Sequence, residues 1–186
     1  MNVKIRGNSP TLLHKYSPEE DGGGKTKAEK SEAYKVEWKK GVYLTDDGFV
    51  CWPSTNMMQV LFDGCKGLNR GKVYFTRLIF TTVRVSPIKI PFIIDGKNIT
   101  IKDIEKNGWI DISGVKIGTS RVNRSRVMLL PGWELEFTIN KMNEDLSDAE
   151  VKKIVENAGR AGMGDWRPSA PKKPGPYGTF DLVSFG

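Results

Sequence analysis

The chain has 186 residues, 38% hydrophobic and 10% aromatic, enough for one domain with a sizeable core. Its formal net charge of +7 points away from cationic partners and toward polyanions: nucleic acid or an acidic protein surface. One histidine and two cysteines, Cys51 and Cys65, are too few for a Cys/His structural zinc site, and no apolar run approaches the roughly 20 residues of a membrane-spanning helix.

The opening MNVKIRGNSP lacks the apolar core of a secretory leader, so the expected setting is the cytoplasm, with both thiols reduced and no membrane partner. Residues 2–6 (NVKIR) alternate and predict a first strand, broken by Gly7-Asn8-Ser9-Pro10. TLLHKY, Thr11 to Tyr16, is a short apolar piece of either type. Residues 17–32, SPEEDGGGKTKAEKSE, hold no large apolar side chain and read as a flexible insertion. GVYLTDDGFVCWP, 41–53, predicts a hairpin turning at Asp47-Gly48 and ending at Pro53. Ser54 is a suitable N-cap for a helix with Met57, Leu61 and Cys65 in one stripe and Met58 and Phe62 beside it. That stripe is expected to be core, methionines included.

LNRGK is a basic turn. Val73 to Val85, VYFTRLIFTTVRV, is rich in β-branched and aromatic residues and predicts a long strand, with a helical first turn as the alternative. Pro87 and Pro91 bracket an edge segment, and FIIDGKNITI predicts a second hairpin at Asp95-Gly96. Trp109, Ile110, Ile112, Val115 and Ile117 fall in short strands. VMLLPGWELEFTI is a strand with Trp133, Leu135, Phe137 and Ile139 on one face and Glu134, Glu136 and Thr138 on the other. Ser147 and Glu150 form a capping box for a helix striped by Val151, Ile154, Val155 and Ala158, with Gly159 as its stop. A closing strand carries Phe180, Leu182, Val183 and Phe185. This order predicts an α+β fold: a ferredoxin-like or RNA-recognition-motif-like antiparallel sheet with two main helices on one face, hairpin insertions, and a single domain over 1–186.

Three constellations carry chemistry. The first is the loop AGRAGMGDWRPSAPKKPGPYGTF. Its glycines, Gly159, Gly162 and Gly164, permit close backbone approach, and their amides suit an anion nest. Arg160, Arg167, Lys172 and Lys173 supply charge, while Trp166 and Tyr177 suit base stacking. The spacing is neither a Walker loop nor a dinucleotide fingerprint, so no cofactor is expected. The plain structural alternative pairs Asp165 with Arg160 or Arg167 and plugs Trp166 into a core edge. The second is KIGTSRVNRSR, a basic hairpin tip in which Arg124 and Arg126 share a strand face and Arg121 sits in the turn before them. The third is His14 in SPTLLHKY, a weak candidate acid or base beside Lys15 and Tyr16; a packed histidine is its ordinary reading. Asp46-Asp47 and Asp145 with Asp148 are a turn and a helix start, not a metal pair.

The N-terminal strand with SPTLLHK, the GVYLTDDGFVCWP hairpin and the closing AGRAGMGDWRP…YGTF resemble a group of small bacteriophage proteins, themselves similar to the Cas7 branch of the RAMP superfamily. The resemblance implies a modified RNA-recognition-motif fold that holds a single-stranded RNA backbone and polymerises along it. It would make Gly159 to Gly164, with Arg160 and Arg167, the Gly-rich loop, and Arg121 to Arg126 a thumb-like hairpin. The leading expectation is therefore a non-enzymatic, sequence-independent, phage-encoded single-strand binder, RNA favoured over DNA, with homo-oligomers or a phage or host protein complex as further partners. The alternatives are an anti-defence or other interaction module docking an acidic protein, and a metal-independent ribonuclease using His14.

Overall fold

The computed structural model describes residues 1–15, 35–117 and 120–186, with side chains described outside 115–122. The expected insertion at 17–32 lies outside the described residues. In chain order, β1 (Asn2–Gly7) and β2 (Thr11–Leu13) precede a helical segment at 35–40 (α1). Then come β3 (Tyr43–Leu44), β4 (Val50–Pro53), α2 (Ser54–Gly64), β5 (Asn69–Arg70) and β6 (Val73–Tyr74). A 3-10 turn, Phe75–Arg77, leads to α3 (Ile79–Thr82), β7 (Val83–Ser86), β8 (Lys89–Ile94), β9 (Lys97–Asn98) and α4 (Ile101–Asn107). The chain continues through β10 (Ile110–Ile117), β11 (Ser120–Leu129), β12 (Glu134–Lys141), α5 (Asp148–Ala161) and β13 (Phe180–Phe185).

This is a mixed α+β fold with antiparallel strand pairs. The main sheet runs β13-β1-β12-β8-β4-β3, with β7 beside β12 and β9 beside β8; β10-β11-β2 form a second sheet. The alternation that defines β12 in sequence sets its two faces. Leu135, Phe137 and Ile139 are buried, and Glu136 is exposed. Trp133, just ahead of the strand, is fully buried between Phe92 and Phe180, with ring centroids 5.9 and 6.3 Å away, and donates its indole N–H to the Ser9 carbonyl at 3.0 Å. A Trp buried this way satisfies its one polar atom while its ring fills the core.

Helix α5 starts where its capping box places it. Ser147 accepts from the Glu150 amide, and Glu150 accepts from the Ser147 amide at 2.8 Å. Val151, Ile154, Val155 and Ala158 are buried; each of the three larger side chains contributes about 1.5–3 kcal/mol of transfer free energy. The helix does not stop at Gly159. It runs to Ala161, with Gly162 as C-cap, because Gly159 is a small residue that lets Phe180 lie against the helix. At Gly64, the last residue of α2, a Cβ would lie 2.5 Å from the Ile154 carbonyl oxygen, so glycine sets the closeness of α2 to α5. Asn157 locks the crossing by donating to the Gly64 carbonyl at 2.6 Å.

Several expectations change. VYFTRLIFTTVRV is not one strand. It divides into β6, a 3-10 turn, α3 and β7, and Phe75, Ile79 and Val83 are buried at a four-residue spacing, a helical period that outweighs the β-branched composition. The FIIDGKNITI hairpin forms but ends at Asn98; Ile101 already opens α4, capped by Thr100 and Asp103. Ser54 is the first helical residue, not the cap; Pro53 takes that position with no side-chain bond. Pro91 lies within an inner strand, not an edge, because β8 pairs with β4 through its first half and with β12 through its second. Both cysteines are free and buried, and burial pushes the Cys65 thiol up to about 12.

Candidate functional site

The loop after α5 folds back on the start of the chain. Asp165 donates its amide to the Leu12 carbonyl at 2.9 Å, extending the edge of β2, and Gly178 donates to Pro10 at 2.7 Å. Gly164 has φ +76, and a Cβ there would lie 2.5 Å from the Leu12 carbonyl oxygen and 2.8 Å from Thr11 Oγ1. Glycine is required on both counts. The amides of Gly162 and Met163 donate to Ala158 and Gly178, each at 2.9 Å. With Asp165 bound to Leu12, the amides of Gly162, Met163 and Asp165 hold the loop in place.

The arginines divide by partner. Arg126, with its side chain 13% exposed, reaches Asp111 at 3.1 Å, Ser113 at 2.7 Å and Asp165 at 3.4 Å. It joins the β10–β11 hairpin to the loop. Arg124 pairs with Glu37, which also accepts from the Ser125 amide at 3.2 Å. Arg167 donates to Ser169 at 2.9 Å, to the Gly164 carbonyl at 3.1 Å and to Asp63 at 3.5 Å. Asp63, at the end of α2 and 3% exposed by its side chain, also accepts from Lys66 at 2.7 Å and Ser169 at 3.1 Å. Arg124 ties the hairpin to α1, and Arg126 and Arg167 stitch the hairpin, the loop and α2 together. The Asp165 partner is Arg126, not Arg160 or Arg167. Arg121 lies in β11 opposite Lys116, not in a turn, and its side chain is outside the described residues.

Trp166 does not plug the core. It is 49% exposed at φ +55, a conformation rare for a bulky residue. Its ring sits edge-to-face on Tyr177, centroids 5.2 Å apart, and against Gly175. Lys172 and Lys173 are exposed on the same loop, and Arg160 is exposed on the last turn of α5; no carboxylate partner is described for these three. Arg160 borders an open groove with Asn8, Glu156, Thr179 and Asp181.

His14 comes to the loop through a cleft of about 190 Å³ lined by His14, Trp52, Asn56, Gln59, Asp63 and Asp165, with Gly164 and Arg167 at its side. Sequence reasoning missed Asn56 and Gln59, which lie a helical turn apart on α2; the amide spacing was the available signal. Lys15 lies over the Tyr43 ring at 5.2 Å. Among the described residues, no group of three or more His, Cys, Asp or Glu could hold a metal ion, and no helix is long and apolar enough to cross a membrane. No family model matches the chain, and no curated protein matches it.

Proposed function

We propose that the protein is a non-enzymatic, sequence-independent binder of single-stranded nucleic acid, RNA ahead of DNA, whose contact surface is the loop after α5. The observation that carries this reading is Trp166: half exposed, set against Tyr177, and on one loop with Lys172 and Lys173. An exposed ring beside unpaired cations is what a flexible strand needs for base stacking and phosphate contact. Arg124, Arg126 and Arg167 then act as positioning residues that fix this surface. His14 is not assigned acid–base work, because the carboxylates around it are committed to Lys66, Arg126 and Arg167.

The ferredoxin-like reading of the core belongs to the same proposal. The order β13-β1-β12-β7, with α2 between β1 and β7 and α5 between β12 and β13, supports this reading, since a split βαβ unit has that order. The resemblance to Cas7-like phage proteins and their assembly along a strand in the host cytoplasm is proposed on that basis. Unlike an RNA-recognition motif, the outer face of β1 and β12 carries Asn2, Lys4 and Arg6 opposite Thr138, Glu136 and Glu134, without an aromatic ring. The strand therefore lies on the loop and not across the sheet.

Gel shifts with single-stranded RNA, single-stranded DNA and duplex of equal length, at low and high salt, test the proposal. Salt-sensitive retention of the single strands, with RNA tightest, is the expected outcome. Unshifted single strands at low salt would reject it, and pulldown of an acidic protein partner would then decide for the interaction reading, which the exposed Val73, Tyr74 and Phe80 also favour.

A further inference from the structure

The cleft beside the loop is where polar groups collect without partners. Four buried side-chain atoms lack a hydrogen bond among the described residues: Thr11 Oγ1, Trp52 Nε1, Thr82 Oγ1 and Arg126 Nε. All but Thr82 belong to residues gathered around Gly164 and Asp165. Trp52 lines the cleft with both of them; Thr11 lies directly under Gly164; Arg126 bonds Asp165. Trp52 is 8% exposed and lines the cleft, and its indole N–H is buried without a partner among the described residues. Buried donors are paired in nearly all native structures, and one that is not calls for a water or a ligand.

The charges of the cleft are already spent. Asp63 is held by Lys66, Ser169 and Arg167, and Asp165 by Arg126. What remains along the wall are the amides of Asn56 and Gln59 and the rings of His14 and Trp52. Of these, the Trp52 N–H is buried without a hydrogen-bond partner, while Asn56 and His14 are half-buried and Gln59 is exposed, with no side-chain bond described for them. Such a wall suits neither a phosphate nor a free cation. It suits a flat, uncharged molecule with donors and acceptors along one edge, which amide side chains read in pairs and rings hold by stacking. The volume of about 190 Å³ is below that of drug-sized sites, and it admits one small heterocycle.

We infer that this cleft binds a single nucleobase, either in a free nucleoside or as one base turned out of a bound strand. The second form rests on the proposed function; the first does not. Asn56 and Gln59 read the edge of the base, and the Trp52 N–H donates to one of its acceptors. His14 closes the opening. Trp166 stands in the chain between the cleft residues Asp165 and Arg167, so a strand stacked on its exposed ring delivers a neighbouring base into the cleft.

The chain's one histidine makes the test specific. Isotope-labelled full-length protein is titrated with adenosine, guanosine, cytidine and uridine in turn, with inorganic phosphate as control. The readouts are the His14 ring signals and the Trp52 indole N–H, the latter assigned with Trp52→Phe. A second arm compares an intact single strand with a fully abasic strand of the same length. The inference expects both signals to shift saturably with at least one nucleoside, or with the intact strand and not the abasic one, and not with phosphate. Gln59→Ala and Asn56→Ala, checked for an unchanged backbone spectrum, each weaken that response about tenfold. Silence toward every nucleoside and both strands, or equal shifts from intact and abasic strands, overturns it. Nucleosides that bind while no strand does would reject the strand-binding proposal alone. Strands that bind without moving either signal would reject the cleft alone.

Discussion

Two polar regions of this molecule carry similar residues to different ends. On the outer face of the main sheet, Lys4 reaches Glu134 at 2.8 Å and Glu136 at 3.0 Å, and Arg6 bonds Glu134. That face neutralises itself. On the loop after α5, Lys172 and Lys173 are exposed without a described partner, beside the Trp166–Tyr177 pair. A net charge of +7 says only that a surplus exists; pairing decides which cations remain to meet a polyanion. Arg124 and Arg126 of the β10–β11 hairpin fall on the self-neutralised side, engaged with Glu37, Asp111 and Asp165.

The largest effect that would sharpen this contrast is on stability. Arg126→Ala leaves Asp111 and Asp165 without their shared cation, and urea unfolding should show a loss of about 3 kcal/mol. If Arg126 were instead a strand contact, stability would hold and retention of nucleic acid would fall. Gly164→Ala places a methyl group against the Leu12 carbonyl at a positive φ, and the expected loss is about 2–3 kcal/mol by the same assay. Trp166→Ala inverts the pattern. Its ring is half exposed, so the melting temperature should barely move while single-strand affinity drops by about 1–3 kcal/mol.

The smallest effect concerns acid. The hydrogen bond from Lys4, with Arg6 behind it, holds the Glu134 carboxyl below its ordinary value of 4.5. A carboxylate with a lowered folded-state pKa stabilises fully above its unfolded value and loses that contribution as pH falls through the folded one. Glu134→Gln should therefore flatten the stability curve below about pH 4.5 and leave strand binding unchanged at neutral pH.

The elements most legible in the sequence were those whose signals are local. The Ser147–Glu150 box fixed the start of α5, Asp95-Gly96 marked a true hairpin turn, and the break in alternation at Leu182-Val183 coincides with the register shift between β1 and β13. Less legible were segments in which composition and period disagree. Phe75, Ile79 and Val83 carry a helical spacing inside a β-branched run, and Gly159 looks like a helix stop but is a contact for Phe180. The proposed contact residues Trp166, Lys172 and Lys173 were visible as a basic aromatic loop. The roles of Arg126 and Arg167 were not, because their carboxylate partners Asp165 and Asp63 lie far away in sequence and meet them only through the packing of α2, the hairpin and the loop.

The most direct test of the central claim is the salt dependence of single-stranded RNA binding, measured by fluorescence anisotropy for three proteins: wild type, Lys172→Ala/Lys173→Ala, and Lys4→Ala/Arg6→Ala. Each phosphate contact on a single strand contributes about 0.7 to the slope of log K against log salt. The account predicts that the loop pair lowers the slope by about 1.4 while the sheet pair leaves it unchanged. Equal slopes for wild type and the loop variant, or a drop confined to the sheet variant, would contradict it.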